Sequence, residues 1–259
     1  MPDRPTKVIV IEDTQSLNDL LSQSITSQLG IEVDSAKSMQ EAVELIIPCS
    51  SIYIAAIVDL NLPDAQHGEV VDAVISLGVR PIVLTASLSD SIHDEMLEKP
   101  IIDYVIKRNL NEIQYVIDLV KRLNENFDRK ALVVDDSKTS RALIKSLLER
   151  HYLKVDTAET GSEALELLNK NKDYSLVITD FNMPEMDGAE LITKIRNDYS
   201  RNELAIIGIS SVGSGSVSIQ LLKSGANDFI SRPFLHEEFY CRVNQNIDAV
   251  CYYNALNNK

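Results

Sequence analysis

At 259 residues the chain is long enough for one large domain or two of ordinary size. Its 44% hydrophobic and 25% charged residues are ordinary for a globular protein. No apolar run approaches the ~20 residues of a membrane span, and Met1-Pro-Asp-Arg4 does not read as a signal peptide, so no membrane partner is expected. The net charge of −14 is shared unevenly: 9 basic and 20 acidic side chains lie in residues 1–127, against 16 and 19 in residues 128–259. Neither half offers the basic footprint of a nucleic-acid binder. Cys49, Cys241 and Cys251 are odd in number and lack C-x-x-C spacing, which fits a reducing cytoplasm without a disulfide framework or zinc site.

In chain order, Lys7 to Ile11 reads as a buried strand that ends in Glu12-Asp13. Leu17, Leu20, Leu21, Ile25 and Leu29 recur at helical spacing, with Gly30 as the stop. A strand over Ile31–Ala36 and a helix over Ser38–Ile47 closed by Pro48 follow. Ile52 to Val58 is a third strand that delivers Asp59, and a helix runs from the Asn61–Gly68 loop to about Leu77. The strand Ile82–Leu84 ends in Thr85, a poorly patterned helix covers roughly Ser89–Glu98, and the strand Asp103–Ile106 ends in Lys107. Leu110, Ile113, Val116, Ile117, Val120 and Leu123 mark a last helix.

The second half repeats this order. Ala131–Val134 ends in Asp135-Asp136; Leu143, Ile144, Leu147 and Leu148 mark a helix; Leu153–Ala158 is a strand and Gly161–Leu168 a helix. Leu176-Val-Ile-Thr-Asp-Phe-Asn-Met-Pro-Glu-Met-Asp-Gly188 is an apolar strand, then Asp180, then a Pro/Gly loop and a helix from about Ala189. Ala205–Ile209 ends in Ser210, a helix covers roughly Val217–Ser224, and the strand ending Asp228–Ser231 reaches Arg232. Leu235, Phe239, Val243, Ile247 and Val250 stripe the last helix. Five strands alternating with five helices, twice, predict parallel five-stranded sheets covered on both faces. The expected domains are 1–127 and 128–259, joined by the short polar link Asn124–Lys130, which implies domains held close together.

The polar residues that end strands are spaced alike in the two halves. Asp13 to Asp59 is 46 residues and Asp136 to Asp180 is 44. The next intervals are 26 to Thr85 and 30 to Ser210, then 22 to Lys107 and 22 to Arg232. A doubly wound sheet of order 2-1-3-4-5 would gather each set along one edge, beside strands one and three.

On these residues both halves resemble receiver domains of two-component response regulators, over 6–124 and 130–252. The resemblance implies a flavodoxin-like (βα)5 α/β fold. It also implies phosphoryl transfer from a sensor histidine kinase, a phosphotransfer protein or a small phosphodonor onto Asp59 or Asp180. Glu12, Asp13 and Asp59 match the family's Mg²⁺-binding acids, as do Asp135, Asp136 and Asp180, and the backbone carbonyls of Asn61 and Asn182 complete each set. Crowded carboxylates repel, and a hard divalent ion relieves that repulsion. Thr85 or Ser210 and Lys107 or Arg232 would hold the phosphoryl oxygens, with Tyr104 and Phe229 as switch aromatics.

Two departures stand out. Arg232 replaces the family's Lys, and a guanidinium fork is not interchangeable with an ammonium. Arg108 replaces the proline that the second half keeps as Pro233, so a cis turn is not expected at 107–108. Other readings are a pseudo-receiver pair used only for docking, and an Asp-nucleophile phosphohydrolase. The hydrolase needs a second Asp as proton donor where Asn61 and Asn182 stand. Gly213-Ser-Gly215 lacks the third glycine of a dinucleotide fingerprint, and His67, His93, His151 and His236 show no ligand spacing. The helix from Glu237 to about Leu256 resembles the one that leads into a diguanylate cyclase output domain, and a homodimer through a helix face is expected.

Overall fold

The computed structural model describes residues 4–86, 96, 99–211 and 215–257. They form two compact units, Met1–Glu125 and Asn126–Lys259. The first carries β1 (Lys7–Ile11), α1 (Gln15–Leu29), β2 (Glu32–Ala36), α2 (Met39–Ile46), β3 (Tyr53–Val58), α3 (Glu69–Ser76), β4 (Pro81–Thr85), β5 (Asp103–Ile106) and α4 (Leu110–Asn126). The second carries β6 (Lys130–Val134), α5 (Lys138–Arg150), β7 (Lys154–Ala158), α6 (Gly161–Lys170), β8 (Tyr174–Asp180), α7 (Gly188–Ile195), β9 (Ala205–Ser211), α8 (Gly215–Ser224), β10 (Asp228–Arg232) and α9 (His236–Asn257). The sheets run β2-β1-β3-β4-β5 and β7-β6-β8-β9-β10, with every pairing parallel. Both are the expected 2-1-3-4-5 order.

Helices on both faces explain why the central strands read as continuous apolar runs. All six residues of β3 are buried. Along β6 the alternation divides the core. Ala131 and Val133 pack with Ile144, Leu147, Phe239, Val243 and Ile247 of α5 and α9. Leu132 and Val134 pack with Ala164, Leu168, Leu191, Ile192 and Leu221 of α6, α7 and α8. Four helices begin on a side chain that accepts from the N3 backbone N–H: Ser38, Ser137, Thr160 and Asp187.

The strand ends away from the acidic residues carry a repeated polar cluster. Tyr53 donates to Asp34 at 2.7 Å while Lys7 pairs with Asp34 at 3.3 Å and Glu32 at 3.2 Å. In the second unit Tyr174 donates to Asp156 at 2.5 Å, and Lys130 pairs with Asp156 at 2.9 Å and lies 4.6 Å from the Tyr174 ring. Burial, and then the Asp156 carboxylate, pushes the Tyr174 phenol up to about 12, Lys130 pulling the other way.

Several expectations need correction. The polar link is shorter than Asn124–Lys130, because α4 continues through Asn126 and β6 begins at Lys130. Asn126, the first residue of the second unit, donates its side chain to the His151 carbonyl at 2.8 Å. Leu20, Leu143 and Leu235 were expected to face the core and are exposed. In α1 the buried face is Asn18, Leu21 and Ile25. Ser210 lies inside β9 rather than after it. By contrast the Arg232–Pro233 peptide is cis, as the retained proline implied. The helix expected over 89–98 lies outside the described residues except for Met96, as do Gly213 and Ser214.

Candidate functional site

The parallel register sets the site. Ile11 lies beside Val58 on one side and Ala36 on the other, so the next residues, Glu12 and Asp59, emerge together at the end of the sheet. Backbone bonds extend the ladder one step further: the Glu12 N–H donates to Ala36 and the Asp59 N–H to Ile11. Thr85 closes β4 opposite Ile106, and the Lys107 N–H donates to the Thr85 carbonyl at 2.6 Å. The second unit does the same with Asp180 beside Ile209 and Ser210 beside Ser231.

In the first unit the Lys107 ammonium bridges Glu12 at 2.5 Å and Asp59 at 2.7 Å. Each carboxylate's other oxygen accepts a backbone N–H two residues on: Glu12 from Thr14 at 3.2 Å and Asp59 from Asn61 at 3.3 Å. Glu12 and Asp59 are buried and Asp13 is exposed. One carboxylate oxygen from each of the three lies within 4.8 Å of the others, a span that suits a hard divalent ion with oxygen ligands. Thr85 is buried at the adjoining strand end. Tyr104 is buried in the core beneath; burial holds its phenol above the ordinary value, with Thr85 pulling the other way.

In the second unit the Arg232 fork bridges Asp135 through Nη2 at 2.7 Å and Asp180 through Nη1 at 2.8 Å. The remaining oxygens accept from Ser137 N–H and Asn182 N–H, each at 2.8 Å. Asp136 is exposed, Ser210 buried and Phe229 half-buried. Burial raises the Asp180 carboxyl above its ordinary range; Arg232 opposes the rise, and Asp135 adds to it. Among the described residues Asp135, Asp136 and Asp180 do not gather as the first three acids do, so the donor types fit a metal but their arrangement does not.

Two further residues shape the acidic loops. Asn18 donates to the Glu12 carbonyl at 3.0 Å and the Ala36 carbonyl at 3.3 Å, and accepts from Ser35 at 2.6 Å. In the corresponding place Arg141 donates to the Asp135 and Asp136 carbonyls and pairs with Glu159 at 3.2 Å. The signal for Asn18 was a polar residue in the stripe it shares with Leu21 and Ile25. Gly188 serves the acceptor strand in another way. A Cβ there would lie 2.3 Å from the Asp180 carbonyl oxygen, so the backbone passes where no side chain fits.

A model of the response regulator receiver domain matches residues 131–244. The chain is 47% identical over 106 residues to chemotaxis protein CheY1 of Helicobacter pylori, covering 40% of this chain and 86% of that one. The chain belongs to the response-regulator receiver family. It is also 34% identical over 155 residues to histidine kinase P4 of Formosa agariphila, covering 60% of this chain and 11% of that one. A solved structure of a two-component system response regulator/GGDEF domain protein superposes with a TM-score of 0.85 at 38% identity, covering 95% of this chain and 99% of that one. The receiver fold thus occurs twice here, and the chain is a component of two-component signalling. Among the described residues no helix is long and apolar enough to cross a membrane.

Proposed function

We propose that this tandem receiver accepts phosphoryl groups on Asp59 and Asp180 from a histidine kinase or phosphotransfer protein and passes its state to a downstream output. One observation carries the reading: in each unit a buried carboxylate ending the third strand is ion-paired to the cation that ends the fifth, beside a second buried carboxylate from the first.

A carboxylate oxygen of Asp59 attacks the phosphorus of a phosphohistidine. The new P–O bond forms as the P–N bond breaks, and the electron pair leaves with the imidazole, which takes up a proton. Lys107, already at Asp59, shifts to a phosphoryl oxygen, and the Thr85 hydroxyl donates to another. Glu12, Asp13, Asp59 and the Asn61 carbonyl would hold Mg²⁺, which offsets charge on the transferring group. In the second receiver Asp180 is the acceptor, with Arg232 and Ser210 in the binding roles. Contacts made only after transfer favour a second conformation, with Tyr104 and Phe229 following the hydroxyl. The similarity to a response regulator/GGDEF domain protein supports a diguanylate cyclase as the output, and the reducing-compartment cysteine pattern supports the cytoplasm.

Intact-mass spectrometry tests this after incubation with acetyl phosphate and Mg²⁺, on the wild type, Asp59→Asn and Asp180→Asn. Two phosphoryl groups in the wild type and one in each variant are expected. A single group lost only in Asp59→Asn makes the second receiver a docking module, and no gain in any protein overturns the reading.

A further inference from the structure

The cations of the two sites have the same charge and place but different shapes. Lys107 presents one nitrogen, so Glu12 and Asp59 are drawn to a single point and stay gathered with Asp13 within 4.8 Å. Arg232 presents two, and each carboxylate takes its own. The planar fork makes directed bonds that an ammonium does not.

The rest of the hydrogen bonding follows the same division. In the first site the outer bonds to Glu12 and Asp59 are long, at 3.2 and 3.3 Å. In the second all four oxygens of Asp135 and Asp180 are held by protein donors at 2.7 to 2.8 Å. In both sites an incoming cation meets a short charge-assisted pair, at 2.5 and 2.7 Å in the first and 2.7 and 2.8 Å in the second, but only in the second must it also displace short outer bonds. Arg141 adds a second guanidinium over the Asp135 and Asp136 carbonyls, shared with Glu159, where the first site has the neutral Asn18.

We propose that Arg232 is the built-in counter-ion of the second site, so that the two receivers differ in metal demand: Mg²⁺ binds the Glu12–Asp13–Asp59 site, and the Asp135–Asp136–Asp180 site binds it weakly. The biological meaning of this difference rests on the phosphoacceptor reading, and the metal affinities rest on the geometry alone. In signalling terms, the first receiver responds to phosphodonor and Mg²⁺ together, while the second depends less on the ion.

The experiment is calorimetric titration with Mg²⁺ alone on the full chain, as wild type, Asp59→Asn, Arg232→Lys and Lys107→Arg. One site is expected in the wild type, lost in Asp59→Asn. Arg232→Lys gains a second site, tightened on the order of tenfold to a hundredfold, and Lys107→Arg weakens the first by a similar factor. Two equal sites in the wild type, no Mg²⁺ binding at all, or unchanged affinities in both Arg232→Lys and Lys107→Arg overturn it. If Arg232→Lys fails to fold by circular dichroism, Lys107→Arg decides alone. Parallel acetyl phosphate labelling separates the two proposals. Unequal metal sites without phosphoryl gain sink only the phosphoacceptor reading, and labelling at both acids with equal metal sites sinks only this one.

Discussion

The two receivers place the same kinds of residue at the same strand ends and then satisfy them differently. In the first, one lysine nitrogen and two long backbone hydrogen bonds hold the buried acids close together. In the second, an arginine and two short bonds satisfy them within the protein. Fold and charge are therefore poor guides to whether such a site wants a metal. What differs is how tightly, and in which directions, the protein holds the same four oxygens.

The largest effect should come from removing the cations. Lys107→Met leaves Glu12 and Asp59 buried without a counter-ion and should cost about 3–5 kcal/mol in metal-free buffer. Arg232→Met should cost a similar amount. The comparison sharpens on adding Mg²⁺: urea unfolding should show Lys107→Met recovering stability, since its three acids already sit within binding span. Equal recovery in both variants would break the comparison.

Next come the glycines that open the third helices. Gly188→Ala drives a methyl group onto the Asp180 carbonyl and should cost about 2–4 kcal/mol, with slower acetyl phosphate labelling of Asp180. Gly68 has a different reason, a φ of +82° with van der Waals contact only, so Gly68→Ala should cost about 1–2 kcal/mol. Denaturant midpoints of the two variants check both.

Asn18→Ala removes a buried side chain that bonds two carbonyls and two serines, and should lower stability by about 1–3 kcal/mol. Arg141→Ala, nearer solvent and paired with Glu159, should lower it less.

The smallest effect concerns pH. The Tyr174 phenol is raised to about 12, so its folded-state pKa lies above the unfolded one. Its contribution is therefore complete below pH 10 and lost as pH rises through about 12. Ultraviolet titration should show Tyr174 ionising after ordinary tyrosines, and Tyr174→Phe should remove that late step and cost about 1 kcal/mol. A Tyr174 that ionises with the exposed tyrosines would contradict the hydrogen bond to Asp156.

The sheet order and the acids at the strand ends were legible because a buried parallel strand must be apolar along its length, and the first charged residue after it marks where it leaves the core. Glu12, Asp59, Asp135 and Asp180 all follow that rule. Lys107 and Arg232 were legible as cations, but the difference in gathering was not, since it depends on which nitrogen meets which oxygen. Asn18 and Arg141 were missed because neither ends a strand. Asn124 to Asn126 read as linker because polar residues on the outer turn of a helix resemble a loop. Leu20 and Leu143 show the reverse error, apolar residues counted into a stripe that solvent reaches.

The tyrosine–aspartate–lysine cluster at the far strand ends has a mechanical consequence. In each unit it ties the starts of three neighbouring strands through side chains, β1 to β2 and β3, and β6 to β7 and β8. A one-residue slip in a parallel sheet would move every side chain to the opposite face and unmatch both core clusters, and these bonds oppose that slip at the edge where the acids are not. Each sheet is thus clamped like a blade held at its heel, and any movement set off at the tip has to pass into loops and helices rather than along the strands.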